Sequence, residues 1–431
     1  MSVLKKLPRK IQGLRSYDRS VKLFLIIPIF YGLYFAVKTL FFNFYILSLG
    51  FDKAYLGLAN GITAAATLVF AFPLGVLTDR IGRKRSSLLG IALLAFSFLA
   101  FLLTGDKTLI LVTLFISGVG DTLWMVASTP LLTRLTTPQN RVAVFSLRAA
   151  IFTFSGVVGN VLGGQMPSWL ERTSNIQPGT IGSYRGILLI SFGMLLVALI
   201  PIIMIPPGDG EATRQTVPET MGEKPNLWFD LKNILRKNII WQLFLPNFLI
   251  GLGAALMVPY LNLFLVEKFS VSEQLLGTFF SIAALVTGTG TLFSPWIARR
   301  LDSRIRALVL TQGSSLFFLL LLGFSPWLGL AVIGFWGRNA LMNMAQPLYN
   351  SFSMEQVADH EQGTLNSMLS MSWQIGWTVM PVFSGFIQEN YGFSPIFITT
   401  SLLYALSTVL IWVYFKNSER SMANQITATL A

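Results

Sequence analysis

Twelve long apolar stretches leave this 431-residue chain few ways to fold. They run at 22–49, 54–77, 86–104, 108–134, 142–167, 183–205, 239–266, 272–298, 306–323, 326–350, 363–389 and 394–415. Most reach or exceed the ~20 residues that carry a helix across a bilayer core. Lipid offers the backbone no hydrogen bonds, so spans of this kind must be helices that satisfy their own N–H and C=O groups. The expected fold class is therefore an all-α membrane protein with twelve transmembrane helices. Composition agrees: 53% of residues are hydrophobic and 12% charged, against about a quarter charged in a soluble domain. A basic opening, "MSVLKKLPRKIQGLRSYDRSVK", precedes the first span. That span is too long for the core of a signal peptide and reads as a retained membrane helix.

There are no cysteines and one histidine, His360, in a polar loop. Thiolate chemistry, disulfides and cysteine metal sites are excluded, His360 reads as a solvated loop residue, and no cofactor is expected. The formal net charge is +13, and its location carries the meaning. With the N-terminus inside, 25 of the 32 lysines and arginines fall in inside segments. The outside loops hold five: Lys53, Lys107, Arg172, Arg185 and Lys268. This bias predicts a multi-pass protein of the cell (inner) membrane with both termini cytoplasmic. The basic charge then serves topology and the lipid bilayer, and nucleic acid is not an expected partner. The longest polar interruption, 206–238, divides the spans six and six. An N-terminal bundle at 1–205, a central loop at 206–238, a C-terminal bundle at 239–416 and a tail at 417–431 follow. The end of the central loop, "NLWFDLKNILRK", reads as a short amphipathic helix on the cytoplasmic surface.

The halves echo each other. "GLYFAVKTLFFN" (32–43) aligns with "GLGAALMVPYLN" (251–262) at an offset of 219, and "GDTLWMVASTPL" (120–131) with "GRNALMNMAQPL" (337–348) at 217. Two matches at nearly one offset imply two six-helix bundles of common ancestry.

Between spans 2 and 3 stands "GVLTDRIGRKR", Gly75 to Arg85. Gly75 permits close helix contact and Gly82 a tight turn. The stretch matches G-x-L-x-D-R-x-G-R-K/R at every fixed position. The chain thereby resembles the major facilitator superfamily, over essentially its whole length. The corresponding stretch "PWIARRLDSRIR" between spans 8 and 9 keeps the basic charge but not the signature. The resemblance implies a conformational switch. Asp79 would face the start of span 11 near Gly363, where free backbone N–H groups favour an anion. Arg80, Arg83 and Lys84 would tie the loop to neighbouring helix ends and to anionic lipid. Span 5 contains "GVVGNVLGG", similar to the signature of drug–proton antiporters in Gly159, Gly163 and Gly164, with Asn160 in place of the proline. Gly156, those three glycines, and Pro381 and Gly385 of span 11 are read as helix-packing positions. An arginine that many members carry early in span 4 is Leu114 here.

The stretch "SGVGDTLWMVASTPLL" places one carboxylate, Asp121, inside span 4. At 1.5 Å per residue it lies about 20 Å from the inner end of its span, Lys38 about 24 Å and Arg338 about 18 Å. All three are near the bilayer midplane, where a charge is costly unless hydrated or paired. The resemblance implies that spans 1, 4, 7 and 10 line a central cavity. Asp121 and Arg338 are repeat-equivalent there, and Met257 replaces Lys38 in the second half. The expected arrangement pairs Asp121 with Lys38 and leaves Arg338 across the cavity, ready for an anion. Arg148 in span 5 adds positive charge or reaches the inner surface. Aromatic residues on the cavity helices, Tyr31, Tyr34, Phe35, Phe42, Trp124, Trp336, Trp373 and Trp377, suggest an amphipathic organic solute. Asn43, Asn262, Asn339, Gln346 and Gln374 would supply hydrogen bonds.

With no P-loop in the sequence, energy must come from a gradient. The reading is a monomeric secondary transporter, not an enzyme, that exports a small amphipathic or anionic molecule in exchange for protons, with Asp121 titrating. The alternative within transport is proton-coupled uptake or exchange of an organic anion held by Lys38 and Arg338. A membrane solute sensor is the non-transport alternative; the output domain it needs would have to be the central loop or the short tail.

Overall fold

The computed structural model describes residues 17–206, 236–358 and 361–416. Most of the central loop with its amphipathic segment, His360, the first basic residues and the tail lie outside the described residues. Among the described residues, twelve helices cross the molecule. The first six are α1 Arg19–Ser48, α2 Lys53–Ile81, α3 Arg83–Leu103, α4 Lys107–Leu135, α5 Arg141–Ser174 and α6 Ile181–Met204. The second six are α7 Asn238–Phe269, α8 Glu273–Arg300, α9 Arg304–Phe324, α10 Leu328–Glu355, α11 Gln362–Tyr391 and α12 Ser394–Phe415. Ten are apolar enough over their length to be membrane spans by composition alone. α10 and α11 fall short because they carry the polar wall described below.

Helix starts follow local chemistry. Asp52, Asp106 and Ser303 accept from the backbone N–H groups of Tyr55, Leu109 and Arg306 at 2.7, 2.8 and 3.0 Å. These side chains open α2, α4 and α9 by satisfying N–H groups that have no partner within the helix. Gly82 closes α2 with φ +93°, a conformation that side chains beyond glycine rarely adopt. α7 is broken by a 3-10 turn over Val258–Tyr260 that contains Pro259. The sequence reading had one unbroken span there.

Each half packs as a bundle. α1 lies against α5 and α6, and α4 against α2 and α3; α7 lies against α11 and α12, and α10 against α8 and α9. The repeat has a packing basis. A side chain at Gly120 would strike Gly90 and Leu94 of α3, and one at Gly337 would strike Phe318 of α9. These repeat-equivalent glycines therefore do the same work, bringing α4 onto α3 and α10 onto α9.

Between the bundles, α2 packs on α11 and α5 on α8. Two ends of the molecule can be named by their loops, the Gly50 end and the Gly82 end. The hydrogen bonds described between the bundles cluster in the Gly50 half. Lys53 Nζ meets Glu267 at 2.7 Å, and the Lys53 backbone N–H donates to Glu389 at 3.0 Å. Asn43 Nδ2 donates to Asn262 Oδ1 at 2.8 Å and to the Pro259 carbonyl at 2.6 Å. Asn262 Nδ2 returns a bond to the Leu40 carbonyl at 2.9 Å. Nearer mid-depth, Ser281 donates to the Val157 carbonyl at 3.1 Å. Asn43 and Asn262 are repeat-equivalent, 219 residues apart. Two symmetry-related residues that touch each other must lie on the symmetry axis, so this pair sits on the pseudo-two-fold between the bundles.

Candidate functional site: a charged cavity between two bundles

Below the asparagine pair the bundles part around a cavity of about 600 Å³. Lys38, Thr67 and Asp121 line it from the first bundle, and Gln346, Trp373 and Gln374 from the second. Among the described residues Asp121 is the one acid deep within a membrane helix; the others lie at helix ends or in loops.

Its partner differs from the one expected. Tyr31 donates its hydroxyl to Asp121 Oδ1. Lys38 acts on the carboxylate through space, without a direct ion pair. Helical geometry explains the arrangement: Tyr31 and Lys38 are seven residues apart, so both lie on the face of α1 that meets α4. Tyr31 lies toward the Gly82 end of α1 and Lys38 toward the Gly50 end, with Asp121 between them. The Lys38 ammonium lies 5.8 Å from the centre of the Tyr34 ring, a favourable place for a cation.

Arg338 is also placed differently from expectation. It lines a second chamber of about 250 Å³, inside the C-terminal bundle. This chamber shares Asn247, Gln346, Asn350, Trp373 and Trp377 with the central cavity, so the two adjoin. Gln312 of α9 and Tyr404 of α12 complete it. Arg338 donates to the Tyr404 hydroxyl and, at 3.0 Å, to Asn339 Oδ1.

Several other expected site residues lie elsewhere. Trp124 is 4% exposed and packs in the first bundle, 6.2 Å from Phe24 and 5.9 Å from Tyr31 between ring centres. Tyr34 is buried against Phe98. Trp336 ties α10 to α8 through its Nε1 and the Phe279 carbonyl at 3.0 Å. These aromatics are core and do not line the cavity. Asn43 and Asn262 form the closure above it. Trp373 does line the cavity. Arg148 spans to α4, donating to Ser128 at 2.9 Å.

The 75–85 stretch, expected as a loop, is the end of α2, Gly82 and the start of α3, and it is bound to its own bundle. Arg83 donates to the Pro130 carbonyl at 3.2 Å, and Lys84 to the carbonyls of Ile205 and, at 3.4 Å, Ile203. Asp79 and Arg80 are exposed. The expected contact of Asp79 with the start of α11 is absent, and the space beside Gly363 is open. In this state the bundles meet at the Gly50 end and the Gly82 end is not drawn together there. A side chain at Gly75 would meet only Val126, at an ordinary 3.8 Å, so close approach does not require glycine there.

The α5 glycines divide by role. Gly159 meets Ala36 and Leu33 of α1, with Gly163 beside Val37. Gly164 faces Glu273 and Gly277 of α8, across the bundle interface. A side chain at Gly156 would meet nothing within 4 Å, so the packing role expected of it is not present. On α11 the Pro381 carbonyl accepts from Tyr260 at 2.6 Å, and Gly385 abuts the Lys53 carbonyl and Gly57 of α2.

The sequence reading missed Gln312, Tyr404, Asn247 and Asn350. Gln312 and Tyr404 stand on α9 and α12, outside the four helices expected to line the cavity. A buried glutamine in an otherwise apolar span was the available signal for Gln312.

The family model of the Major Facilitator Superfamily matches residues 23–367 and 340–430. Sugar efflux transporter A of Escherichia coli is 26% identical over 186 residues, 41% of this chain and 46% of that protein. Multidrug resistance protein MdtG of Yersinia enterocolitica is 27% identical over 186 residues, 42% and 44% of the two chains. The matched stretch thus spans less than half the length of each curated relative. Among solved structures, a bacterial homologue of the lysosomal transporter Spinster superposes with TM-score 0.76 at 14% identity, covering 91% of this chain and 96% of that one. The nucleoside transporter NupG gives 0.72 at 13%, with 93% and 99% covered. These two likenesses concern the fold. With the twelve-helix architecture, the paired bundles and the family match along most of its length, the chain belongs to the Major Facilitator Superfamily.

Proposed function

We propose that this protein is a secondary active transporter that carries a small organic solute out of the cell by alternating access, driven by protons bound at Asp121. The observation that carries this reading is the mid-membrane acid facing a cavity that is sealed toward one end only. On the positive-inside reading of the sequence, the sealed Gly50 end is outside and the open end cytoplasmic. In this state Asp121 is held by Tyr31, on the side open to the cytoplasm. Protonation removes the need for that bond and for the field of Lys38, and so changes which bundle arrangement is favoured. Rocking of the bundles that parts the Asn43–Asn262 contact would then expose the cavity to the outside. The curated relatives, named for sugar efflux and multidrug resistance, favour export and a sugar-like or lipophilic solute.

Proteoliposomes loaded with a pH-sensitive dye test this reading. A panel of neutral sugars, lipophilic drugs and organic acids is applied, and proton movement is recorded. At least one compound should drive proton movement in the wild type and none in Asp121→Asn. Solute flux that persists in Asp121→Asn with unchanged pH dependence would refute the role of Asp121.

Arg338 favours a second reading, proton-coupled uptake or exchange of an organic anion. An inward proton gradient driving accumulation of an anion, in place of its expulsion, would select it.

A further inference from the structure

Among the described residues, the charge of Arg338 has no counter-ion in its own bundle. Arg338 is 4% exposed. Its partners, Tyr404 and Asn339, are neutral, and its Nε has no hydrogen-bond partner. The described acids of the second bundle are Glu267, Glu273, Asp302, Glu355, Glu361 and Glu389. Each lies at or near a helix end or in a loop. None lines the chamber. A guanidinium buried without a carboxylate costs several kcal/mol unless something else supplies negative charge.

The chamber around it offers further unpaired groups. Trp377 Nε1 is a buried donor and Gln312 Oε1 a buried acceptor, and neither has a partner. Both residues line the chamber. Buried polar groups without partners are uncommon in finished cores; these three belong to residues of α9, α10 and α11 that line one chamber, and a polar occupant would satisfy them. At about 250 Å³ the chamber is smaller than the roughly 300–1,000 Å³ of pockets that hold a whole drug-sized ligand. It suits the head of a molecule whose body extends past Trp373 into the central cavity.

We propose that this chamber seats the carboxylate of a small hydroxylated organic acid, with Arg338 and Trp377 donating to the carboxylate and Gln312 accepting from a hydroxyl of the same molecule. The planar fork of a guanidinium matches the two oxygens of a carboxylate. One guanidinium balances one negative charge. A phosphate monoester would bring about two, with no second cation in the chamber lining. Lys38 stands in the other bundle, in the field of Asp121. The proposal rests on the transporter reading of the central cavity and names the chemistry of its solute. Proton and solute are then held on different bundles, Asp121 on the first and Arg338 on the second.

The test uses the purified full-length chain and four probe carboxylates: acetate, benzoate, 4-hydroxybenzoate and 1-naphthoate. Each is compared with its neutral amide at matched ionic strength, by thermal shift and by tryptophan fluorescence. At least one carboxylate should stabilise the wild type saturably while its amide does not, with 4-hydroxybenzoate ahead of benzoate. Apparent affinity should fall about tenfold or more in Arg338→Gln and recover partly in Arg338→Lys. The wild-type comparison decides even where Arg338→Gln does not fold. No carboxylate outperforming its amide, or a preference unchanged in Arg338→Gln, overturns the proposal. Failure of the transport reading is distinguishable: carboxylate binding would then remain without proton-coupled flux. Proton-coupled flux of neutral solutes alone would instead sink the carboxylate seat.

Discussion

Replacing Asn43 with alanine should unlatch the Gly50 end. The side chain donates to Asn262 at 2.8 Å and to the Pro259 carbonyl at 2.6 Å, and both bonds cross between the bundles. Asn60 Nδ2 also donates to it, at 3.3 Å. When the bundles separate at this end, water replaces these partners, so the bonds favour the closed state specifically. At about 0.5–1.5 kcal/mol net each, the two short bonds contribute about 1–3 kcal/mol. That corresponds to about a 5–150-fold change in the ratio of closed to open molecules. The chain has no cysteines, so spin labels need no altered background. Gly105 and Gly329 stand at the Gly50 end of α4 and α10, one on each bundle. A side chain at either would meet nothing within 4 Å, so Gly105→Cys and Gly329→Cys accept labels without strain. Pulsed electron–electron distance measurements on this pair should show a longer population that grows in Asn43→Ala and in Asn262→Ala. The double variant should add less than the sum, because the two residues share a bond. Unchanged distance distributions in both single variants would refute the latch.

Other variants probe other parts. Gly385→Val would push a side chain into the Lys53 backbone; the Gly50 end should fail to close, and the label pair should report the open distance throughout. Tyr31→Phe removes the bond to Asp121, so the pH profile of transport should move; Tyr34→Phe, whose hydroxyl has no partner, should leave it in place. Asp79→Asn should lower the transport rate while thermal stability stays within about 0.5 kcal/mol of wild type, since the side chain is exposed here; a wild-type rate would remove Asp79 from the switch.

The helices were legible because lipid dictates a length that sequence displays directly. Even α10 and α11 were found, since their polar residues interrupt long apolar runs without ending them. The break in α7 was not legible: prolines also stand inside α1, α2 and α4, which continue through them. Facing was the main loss. In a soluble helix the apolar stripe marks the core, but here both the lipid face and the core are apolar. Trp124 and Tyr34 therefore looked the same as cavity residues. The repeat revealed that Asn43 and Asn262 are equivalent. It did not reveal that they touch, because that depends on how the bundles rock. For Asp121 the sequence offered a nearby lysine. The structure gave the tyrosine two turns away on the same face of α1.

Alternating access driven by Asp121 is tested most sharply by measuring both ends of the molecule together. One label pair reports the Gly50 end, at Gly105→Cys and Gly329→Cys. A second, at Gln139→Cys and Ala358→Cys, reports the Gly82 end, where both residues are exposed. Reciprocal changes are expected as pH is varied: one end lengthens as the other shortens, and Asp121→Asn holds a single distribution at all pH values. Distances that stay fixed at both ends across pH, or a response that survives in Asp121→Asn, would contradict the role of Asp121 in driving the bundles.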